Sequence, residues 1–374
     1  MKILLNLLHL TSERLGGSWT YSINLVHGLE AFTDEHEIIV LANKKIAGLL
    51  GQTETRLFTV EIESENRIKR IAWENIKLPG IVKSIKPDIF HGPANTLPEN
   101  LPCPGVVTIH DFQYKYYPEN FPFLRRQYLT WSIPRSLRRA EHVIAVSNFT
   151  KKDAVRFVHI PDNKISIIYE AGLNAHESES SYGDEEILIK NKISTPFLLS
   201  VGSSLPHKNL LRLIKAFARV ANEIPQNLIL VGEEFGYGSA LQTMIDQELG
   251  SNQTRLHHIG FVDRKDLITL YRKADAFIFP SLFEGFGIPL LEALQSGCPI
   301  AVSNSTSLPE IGGEAAIYFD PLNVDEMALS IRNIALDSTC RSKLQKLGYK
   351  QALKFSWDTM ASETLDIYKK AIGT

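Results

Sequence analysis

The sequence has few cysteines, almost no net charge and no long apolar run, and each shortage excludes a class of protein. Its 374 residues include three cysteines, with no Cys-x-x-Cys pair: Cys103, Cys298 and Cys340. This spacing argues against a disulfide framework or a structural zinc site, and it favours a reducing compartment. The formal net charge of −2 predicts no whole-molecule attraction to nucleic acid or to an acidic membrane.

No stretch approaches the roughly 20 apolar residues that a membrane-spanning helix needs. The apolar residues 1–10 give way to TSER at 11–14, without the small-residue cleavage pattern of a signal peptide. We interpret this beginning as a first β-strand that leads into a glycine-rich turn. We therefore expect a cytoplasmic protein, and peripheral contact with the inner face of a membrane stays open.

Short apolar runs alternate with amphipathic stretches along the chain. This alternation is typical of β-α units and parallel sheets. The near-continuous Val, Ile and Leu of the runs predict sheets that are covered on both faces. Strands are expected at 2–9, 37–42, 104–109, 142–146, 165–169, 197–201, 228–232, 255–259, 276–279 and 299–302. Helices are expected at 18–31, 65–85, 123–139, 207–222, 237–249, 264–274, 288–296 and 324–336.

The chain is long enough for two domains, since single cores stop growing near about 250–300 residues. Residues 174–186, NAHESESSYGDEE, are polar and acidic with no helical or strand period, which predicts an interdomain linker. We place this linker at 174–190, between a Rossmann-like domain from 1–173 and a second one over 191–355. Doubly wound sheets of this kind bind ligands at the carboxyl ends of their strands.

The most informative segment is PSLFEGFGIPLLEA at 280–293, which follows an apolar run and opens a predicted helix. The free N–H groups and the dipole at such a helix start favour an anion. Glu284 lies in the loop and Glu292 about one turn into the helix, so the two carboxylates can accept hydrogen bonds from separate hydroxyl-bearing parts of one ligand. This suggests a ligand with both phosphate and sugar. From spacing alone, a capping residue and a solvated helix position explain the two glutamates equally well.

This segment resembles the Glu-x7-Glu signature of family 4 retaining glycosyltransferases, which have the GT-B fold. The resemblance continues upstream through IGFV at 259–262 and downstream through 297–321, and it covers nearly the whole chain. It implies two doubly wound α/β domains that face a cleft. A last helix, for which Ser356 is a credible N-cap, would cross back onto the N-terminal domain. Residues 1–173 and 356–374 would then together form the acceptor-binding domain. The domain at 191–355 would bind the nucleotide sugar.

The resemblance assigns donor-binding residues to these motifs. In LSVGSSLPHKN at 199–209, Lys208 matches the phosphate-binding lysine of the family, and Ser203 or His207 occupies its second basic position. Compensation of the negative charge on the donor diphosphate would therefore rest mainly on Lys208. Glu292 would hold the ribose, and Glu284 would hold the donor sugar. The full set comprises Gly16, Gly17, Ser203, His207, Lys208, Gly232, Phe261, Val262, Glu284, Gly285, Phe286, Gly287, Ile288, Leu290, Leu291 and Glu292.

His110-Asp111 ends a predicted strand and matches a His-Asp pair that the family places near the donor sugar. The predicted catalytic set is His110, Glu284 and Lys208. His91 and Asn95, at a similar strand end, are expected to bind the acceptor with His110 and Asp111. Two alternatives stay open for the rest of this region. The aromatic residues of 112–121 either stack on a sugar or pack, and the arginine-rich helix 123–139 either contacts an anionic membrane or is a solvated face.

The sequence contains no Asp-x-Asp, with which transferases of another fold hold a metal, and no Gly-x-Gly-x-x-Gly. We therefore expect no metal and no cofactor. The resemblance implies retaining transfer of a hexose to a saccharide or lipid-linked acceptor in polysaccharide or glycolipid biosynthesis. The donor would be UDP-glucose-like or GDP-mannose, with the uridine donor preferred because such donors are common. A catalytically weak sugar-nucleotide-binding protein and a sugar-nucleotide epimerase of the same fold are the alternatives.

Overall fold

The computed structural model describes residues 1–11, 16–51, 53–174, 183–233 and 238–373. The chain divides into two compact units, the first from Met1–Glu170 with Ser356–Thr374 and the second from Ala171–Phe355. Within the described ranges, every helix is too short or too polar to span a lipid bilayer.

The first unit is built on one sheet of seven parallel strands. These are β1 (Lys2–Asn6), β2 (Glu37–Asn43), β3 (Arg56–Val60), β4 (Ile89–Gly92), β5 (Gly105–Ile109), β6 (His142–Ala145) and β7 (Ile165–Ile167). Their order in the sheet is β3-β2-β1-β4-β5-β6-β7. The helices between them are α1 (Gly16–Glu30), α2 (Lys44–Leu50), α3 (Arg67–Ile76), α4 (Leu78–Ile85), α5 (Gln113–Tyr116), α6 (Phe123–Arg139) and α7 (Asn148–Val158).

The second unit has a sheet of six parallel strands. These are β8 (Phe197–Val201), β9 (Asn227–Val231), β10 (Leu256–His258), β11 (Ala276–Phe279), β12 (Ile300–Ser303) and β13 (Ala316–Phe319), in the order β10-β9-β8-β11-β12-β13. Its helices are α8 (Asp184–Lys190), α9 (Leu210–Val220), α10 (Gly238–Leu249), α11 (Arg264–Lys273), α12 (Ile288–Gln295), α13 (Leu308–Gly312), α14 (Val324–Leu336) and α15 (Ser338–Ala352).

Each sheet has one point at which the strand order reverses. The first reversal lies between β1 and β4, and the second lies between β8 and β11. At such a point the connections leave the two strands in opposite directions, which opens a crevice at the carboxyl ends of the strands. Lys208 follows β8 and Glu284 follows β11. The topology therefore places both residues beside the reversal point of the second sheet.

Two sequence-based boundaries need correction. Residues 184–190 form α8, whose Ile187 and Leu188 are buried, so this part of the predicted linker is not irregular. Asp184 at the start of α8 pairs with Arg272 of α11 at 3.0 Å, which anchors the helix to the second unit. Residues 175–182 of the predicted linker lie outside the described residues. The single helix predicted at 65–85 is two helices, because Pro79 has no N–H group to continue α3 and instead sits in the first turn of α4.

The last helix, α16 (Trp357–Ile372), belongs to the core of the first unit. Its N-cap is Ser356, whose side chain accepts from the backbone N–H groups of Asp358 and Thr359. It packs closely on α1, because a Cβ atom added at Gly28 would lie 2.6 Å from the Cβ of Ala361. The hydroxyl of Tyr368 bonds to Nδ1 of the buried His91 at 2.6 Å. Helix α16 thus covers the sheet from which His91 projects.

Gly28→Ala is expected to destabilise the first unit by about 1–3 kcal/mol, because the added methyl forces α1 and α16 apart. The matched control is Gly48→Ala in α2, where a Cβ meets no described atom within 4 Å. That change should instead stabilise the protein by about 0.4–1 kcal/mol. Urea unfolding of both variants measures the two free-energy changes, and equal changes would contradict the close contact between the helices.

Candidate active site

Lys208 and Glu284 form an ion pair in the second unit. The Nζ atom of Lys208 lies 2.6 Å from Oε1 of Glu284, and the two side chains are 18% and 13% exposed. Lys208 ends a short 3-10 turn that follows β8, whereas Glu284 lies in the loop after β11. The pair is thus assembled from the two strands beside the reversal point. Partial burial reduces the screening of its charges by water and salt.

The loop that carries Glu284 is held by hydroxyl groups. The backbone N–H of Glu284 donates to Oγ1 of Thr306 at 3.1 Å. The hydroxyl of Ser307 donates to the carbonyls of Glu284 and Phe286 at 3.0 and 2.8 Å. Gly287 then adopts a φ of 111°, which L-residues rarely reach, and the chain enters α12. The loop therefore has a fixed path into the helix.

The predicted anion site at the start of α12 is smaller than the sequence indicates. The backbone N–H groups of Leu290 and Leu291 both donate to the carbonyl of Gly287, at 3.0 and 3.3 Å, and both side chains are fully buried. These two N–H groups are engaged within the first turn of the helix, and the donor-binding role of Leu290 and Leu291 stays a prediction. Among the described residues, the N–H groups of Gly287 and Ile288 have no such acceptor and stay available to a ligand.

Glu292 is held by two donors from α11. The guanidinium of Arg264 donates to its Oε1 at 2.8 Å, and the hydroxyl of Tyr271 donates to its Oε2 at 3.2 Å. Glu292 is almost fully buried, whereas the side chain of Arg264 is 35% exposed. Arg264 also donates to the carbonyl of Gly172 at 3.2 Å. Glu292 is thus a fixed carboxylate, and each of its oxygens keeps lone pairs for a further donor.

Both glutamates of the motif are therefore paired with a cation, Glu284 with Lys208 and Glu292 with Arg264. The second cation of this unit's site is Arg264 and not His207. His207 is buried, and burial together with the nearby Lys208 lowers the pKa of its imidazole to about 4. The ring is thus neutral at pH 7, and Ser203 carries no charge. The second basic position of the resembling family supplies no charge here.

The ends of β8, β9 and β10 approach one another through glycine backbone. The N–H of Gly232 donates to the carbonyl of Gly260 at 2.8 Å, and Gly232 has a φ of 147°. A Cβ atom at Gly232 would lie 2.2 Å from the carbonyl oxygen of Gly202. Nearby, the side chain of Phe261 is exposed and that of Val262 is buried. Of these two predicted donor-binding residues, only Phe261 presents its side chain to solvent.

In the first unit, His110 is held between two acceptors. Its Nδ1 lies 3.0 Å from a carboxylate oxygen of Glu170, and its Nε2 lies 2.8 Å from the carbonyl oxygen of Pro93. The carbonyl of Pro93 only accepts, so Nε2 carries hydrogen, and an ionised Glu170 favours hydrogen on Nδ1 as well. Burial lowers the pKa of His110, but the hydrogen bond and charge of Glu170 outweigh it, and the pKa is raised. A doubly protonated ring can stabilise negative charge but cannot accept a proton.

Asn95 and Asp111 shape the backbone beside His110. The side-chain oxygen of Asn95 accepts from the N–H of His110 at 2.8 Å. A carboxylate oxygen of Asp111 accepts from the N–H of Gln113 at 2.8 Å.

At the start of α1, Gly16 and Gly17 are exposed. The aromatic segment 112–121 includes Phe112 and Tyr114 in the core, so those two side chains pack and do not stack on a ligand.

His91 has no exposed surface. Its Nδ1 bonds to the hydroxyl of Tyr368, and its Nε2 lies 2.9 Å from the hydroxyl of Thr108. Burial lowers the pKa of His91 to about 3, so the ring is neutral. Helix α16 covers the His91 side chain through Tyr368, and the acceptor-binding role of His91 stays a prediction. In the described ranges, no three His, Cys, Asp or Glu side chains are grouped so that they could hold a metal ion.

Comparison with known proteins covers both units. A family profile described as Glycosyltransferase Family 4 matches residues 15–171, and one described as Glycosyl transferases group 1 matches residues 184–351. O-antigen chain mannosyltransferase B of Escherichia coli is 31% identical over 80% of this chain and 77% of its own length. The chain belongs to glycosyltransferase family 4. O-antigen chain mannosyltransferase RfbU of Salmonella typhimurium is 30% identical to this glycosyltransferase, over 86% of the chain and 89% of the relative.

Solved structures confirm the predicted GT-B fold class of this glycosyltransferase. A glycosyltransferase from Rickettsia africae superposes with a TM-score of 0.76 at 19% identity, over 99% of this chain and 98% of the other. Anabaena HepE, solved in complex with UDP and glucose, gives a TM-score of 0.74 at 18% identity, over 99% and 100% of the two chains. Each unit of this glycosyltransferase is thus one of the two Rossmann-like domains of that fold.

Sequence reasoning missed four residues of these sites in the glycosyltransferase: Glu170, Gly172, Arg264 and Tyr271. Arg264 and Tyr271 lie at opposite ends of α11, two turns apart on a helix that the sequence predicts. Their i and i+7 spacing predicts that both side chains lie on one face of the helix. The spacing does not identify Glu292 as the residue that this face contacts. For Glu170 and Gly172 the sequence offers no signal.

Proposed function

We propose that this glycosyltransferase transfers a mannosyl group from GDP-mannose to a saccharide or lipid-linked acceptor in polysaccharide assembly. The transfer retains the anomeric configuration and needs no metal ion, and the enzyme is cytoplasmic. Support for mannose comes from the relatives, because the two O-antigen proteins named above are both mannosyltransferases. Mannose therefore replaces the uridine-linked hexose as the preferred donor sugar.

The observation that carries the chemistry is the Lys208–Glu284 pair. A donor diphosphate is a stronger competitor for the ammonium group than one carboxylate, because it brings more negative charge. On donor binding, Lys208 would therefore turn to the diphosphate, and Glu284 would be released to accept hydroxyl groups of the sugar. Lys208 would then stabilise the charge that develops on the departing diphosphate.

The other motif residue has a separate role in this proposal. Glu292 would accept hydrogen bonds from the ribose hydroxyls through the lone pairs that Arg264 and Tyr271 leave free. The exposed part of the Arg264 guanidinium would supply the second positive charge near the nucleotide. The N–H groups of Gly287 and Ile288 would donate to the diphosphate.

Retention follows if the acceptor attacks from the face that the diphosphate leaves. The bond between the anomeric carbon and the phosphate oxygen breaks, the bond to the acceptor oxygen forms, and the departing phosphate oxygen takes the acceptor proton. In this proposal Glu284 accepts hydroxyl groups of the donor sugar, and the step needs no protein nucleophile. His110 keeps its predicted place in the catalytic set as a cation of the first unit, which the carboxylate of Glu170 beside its Nδ1 supports.

The donor is tested by incubating the enzyme with GDP-mannose, UDP-glucose, UDP-galactose or dTDP-glucose, a panel of saccharide acceptors and EDTA. Product is expected with GDP-mannose alone, and NMR of the new linkage should show the donor's anomeric configuration. Turnover with only a uridine donor would overturn the donor assignment, and turnover only after metal addition would overturn metal independence. Nucleotide binding without turnover would favour the binding protein, whereas an altered nucleotide sugar without acceptor would favour the epimerase.

A further inference from the structure

Helix α14 of the second unit exposes a row of leucines. Leu322 lies two residues before the helix, Leu329 in its middle and Leu336 at its end, and they are 62%, 54% and 48% exposed. Because they are spaced by seven residues, the three side chains point in nearly the same direction. Isolated exposed apolar residues are common on proteins, but clusters of them mark sites of interaction. The row is therefore a candidate interaction surface.

The row is not the face by which α14 joins the core. Met327, Ile331 and Ile334, on the other side of the helix, have no exposed surface and pack in the core of the second unit. A helix with one face in the core normally presents polar residues on the opposite face. The exposed leucines of α14 therefore add little to the core of their own unit, although each would gain free energy by leaving water.

The charged residues beside the row are distributed unequally along the helix. Asp325 and Glu326 lie four and three residues before Leu329, whereas Arg332 lies three residues after it. These positions lie on or beside the leucine face, because three or four residues make about one turn. The half of the face before Leu329 is thus acidic, and the half after it is basic. We call the three leucines and these three charged residues the α14 face.

Helix α9 flanks the α14 face and holds two of its charges. The Nε atom of Arg332 donates to a carboxylate oxygen of Glu223 at 2.5 Å, and Arg219 pairs with Asp325. All four side chains are between 46% and 85% exposed, so that water and salt screen both pairs. Arginine has five N–H donors, and Arg332 can therefore bind a second carboxylate as well. In the described part of the chain Glu326 forms no ion pair.

We propose that two copies of this chain pair through the α14 face. A two-fold axis at Leu329 sets the two helices antiparallel, so that every other contact occurs twice. Positions equally far from Leu329 then meet across the axis. Leu322 meets Leu336 of the partner subunit, and Glu326 meets Arg332 of the partner subunit. A second copy is the occupant that fits, because the apolar row and the two charged halves are complementary to themselves.

A lipid surface suits the α14 face less well, because two of its three charged residues are acidic and anionic lipid attracts basic ones. The face spans a single helix of 13 residues. This is small beside the roughly 1,600 Å² of a standard protein–protein interface, and we therefore expect a dimer that dissociates on dilution. The proposal goes beyond the proposed function and does not depend on it, because it uses no residue of the donor or acceptor sets.

Association is measured by sedimentation velocity of the full chain over a range of concentrations, without donor or acceptor. The wild-type chain should shift from monomer to dimer as its concentration rises and form nothing larger, since a two-fold contact closes on itself. Leu329→Glu should raise the dissociation constant about 10²-fold or more, because each dimer loses two buried leucines and brings two carboxylates together on the axis. The matched control is Leu353→Glu, at a position of the second unit that is 86% exposed and lies outside the face. It should dimerise as the wild type does.

Charge reversal tests the antiparallel arrangement. Glu326→Arg alone and Arg332→Glu alone should each weaken dimerisation about tenfold or more, because each variant sets like charges opposite one another twice. An equimolar mixture of the two variants should form a heterodimer about as tight as the wild-type dimer, because both contacts of the mixed pair again join unlike charges. Recovery in the mixture requires both variants to be folded. Circular dichroism checks the folding of Leu329→Glu and its control.

Three results would overturn the proposal. One is a wild-type chain that stays monomeric up to its solubility limit. Another is a Leu329→Glu variant that dimerises as tightly as the wild type, which would place the contact elsewhere. The third is a charge-reversal mixture that associates no more tightly than either variant alone. Sugar transfer is assayed separately, and a chain that dimerises through this face but transfers no sugar would contradict the proposed function and leave the α14 pairing standing.

Discussion

Replacing Lys208 with methionine is expected to lower kcat by about 10²–10³-fold, the cost of losing one group that stabilises developing charge in a transition state. The variant keeps the Cβ and Cγ methylene groups beside Gly202 but removes the cation that the proposed mechanism assigns to the departing diphosphate. Steady-state kinetics with the donor that the wild-type enzyme accepts measures the change. The loss should fall on kcat and on kcat/KM together, because the proposed interaction is strongest in the transition state.

The control for this experiment is Lys215→Met. Lys215 is an exposed lysine of the second unit that pairs with Glu248 at 3.6 Å, so its loss should leave kcat unchanged. The double variant Lys208→Met/Glu284→Gln tests the coupling within the pair. Because the two residues act on each other and on one donor, their effects on activation free energy should not add. Unaltered kcat in Lys208→Met would remove the lysine from the mechanism.

Glu170→Gln is expected to destabilise the first unit by about 3–5 kcal/mol, because the buried imidazolium of His110 loses its counter-charge. The effect depends on pH. The raised pKa of His110 in the folded protein means that the pair's contribution is fully present below the unfolded pKa of about 6.5 and is lost as pH rises through the folded pKa. The difference in unfolding free energy between wild type and variant should therefore shrink from acid to alkaline pH.

Denaturant unfolding at several pH values measures this difference. His27→Gln is the matched control, since it removes an exposed His–Glu pair with Glu30 at 3.5 Å, and such a pair is worth only about 0–1 kcal/mol. A Glu170→Gln variant whose destabilisation does not change with pH would show that His110 is not held as a cation.

The sequence was sufficient for elements whose signal is local. Helix α6 begins and ends at the predicted residues 123 and 139, and β11 occupies the predicted 276–279, because amphipathic spacing and a buried apolar run both act within one segment. The short strands β3 and β13 were missed, and β4 was recognised only as a strand end near His91. In β3 only Val60 is buried, so the segment lacks the continuous apolar run by which the other strands were identified.

The candidate site shows where a single sequence stops being informative. The Glu-x7-Glu spacing identifies the two glutamates, but their cations are 76 and 28 residues away in the chain. Resemblance supplies Lys208. Arg264 is recognised only in the folded structure, where α11 packs so that this side chain contacts Glu292. His91 is the opposite case, since a histidine near a strand end looks accessible until Tyr368, 277 residues later, covers it.

Because α16 completes the first unit, synthesis of that unit is interrupted by synthesis of the second. The second unit is continuous in sequence and can fold as soon as residue 355 leaves the ribosome, whereas Tyr21 and His91 must wait for Thr364 and Tyr368. Domains usually fold in the order in which they are made. Here a chain cut before residue 357 would contain the whole second unit, whereas its first unit would still lack α16.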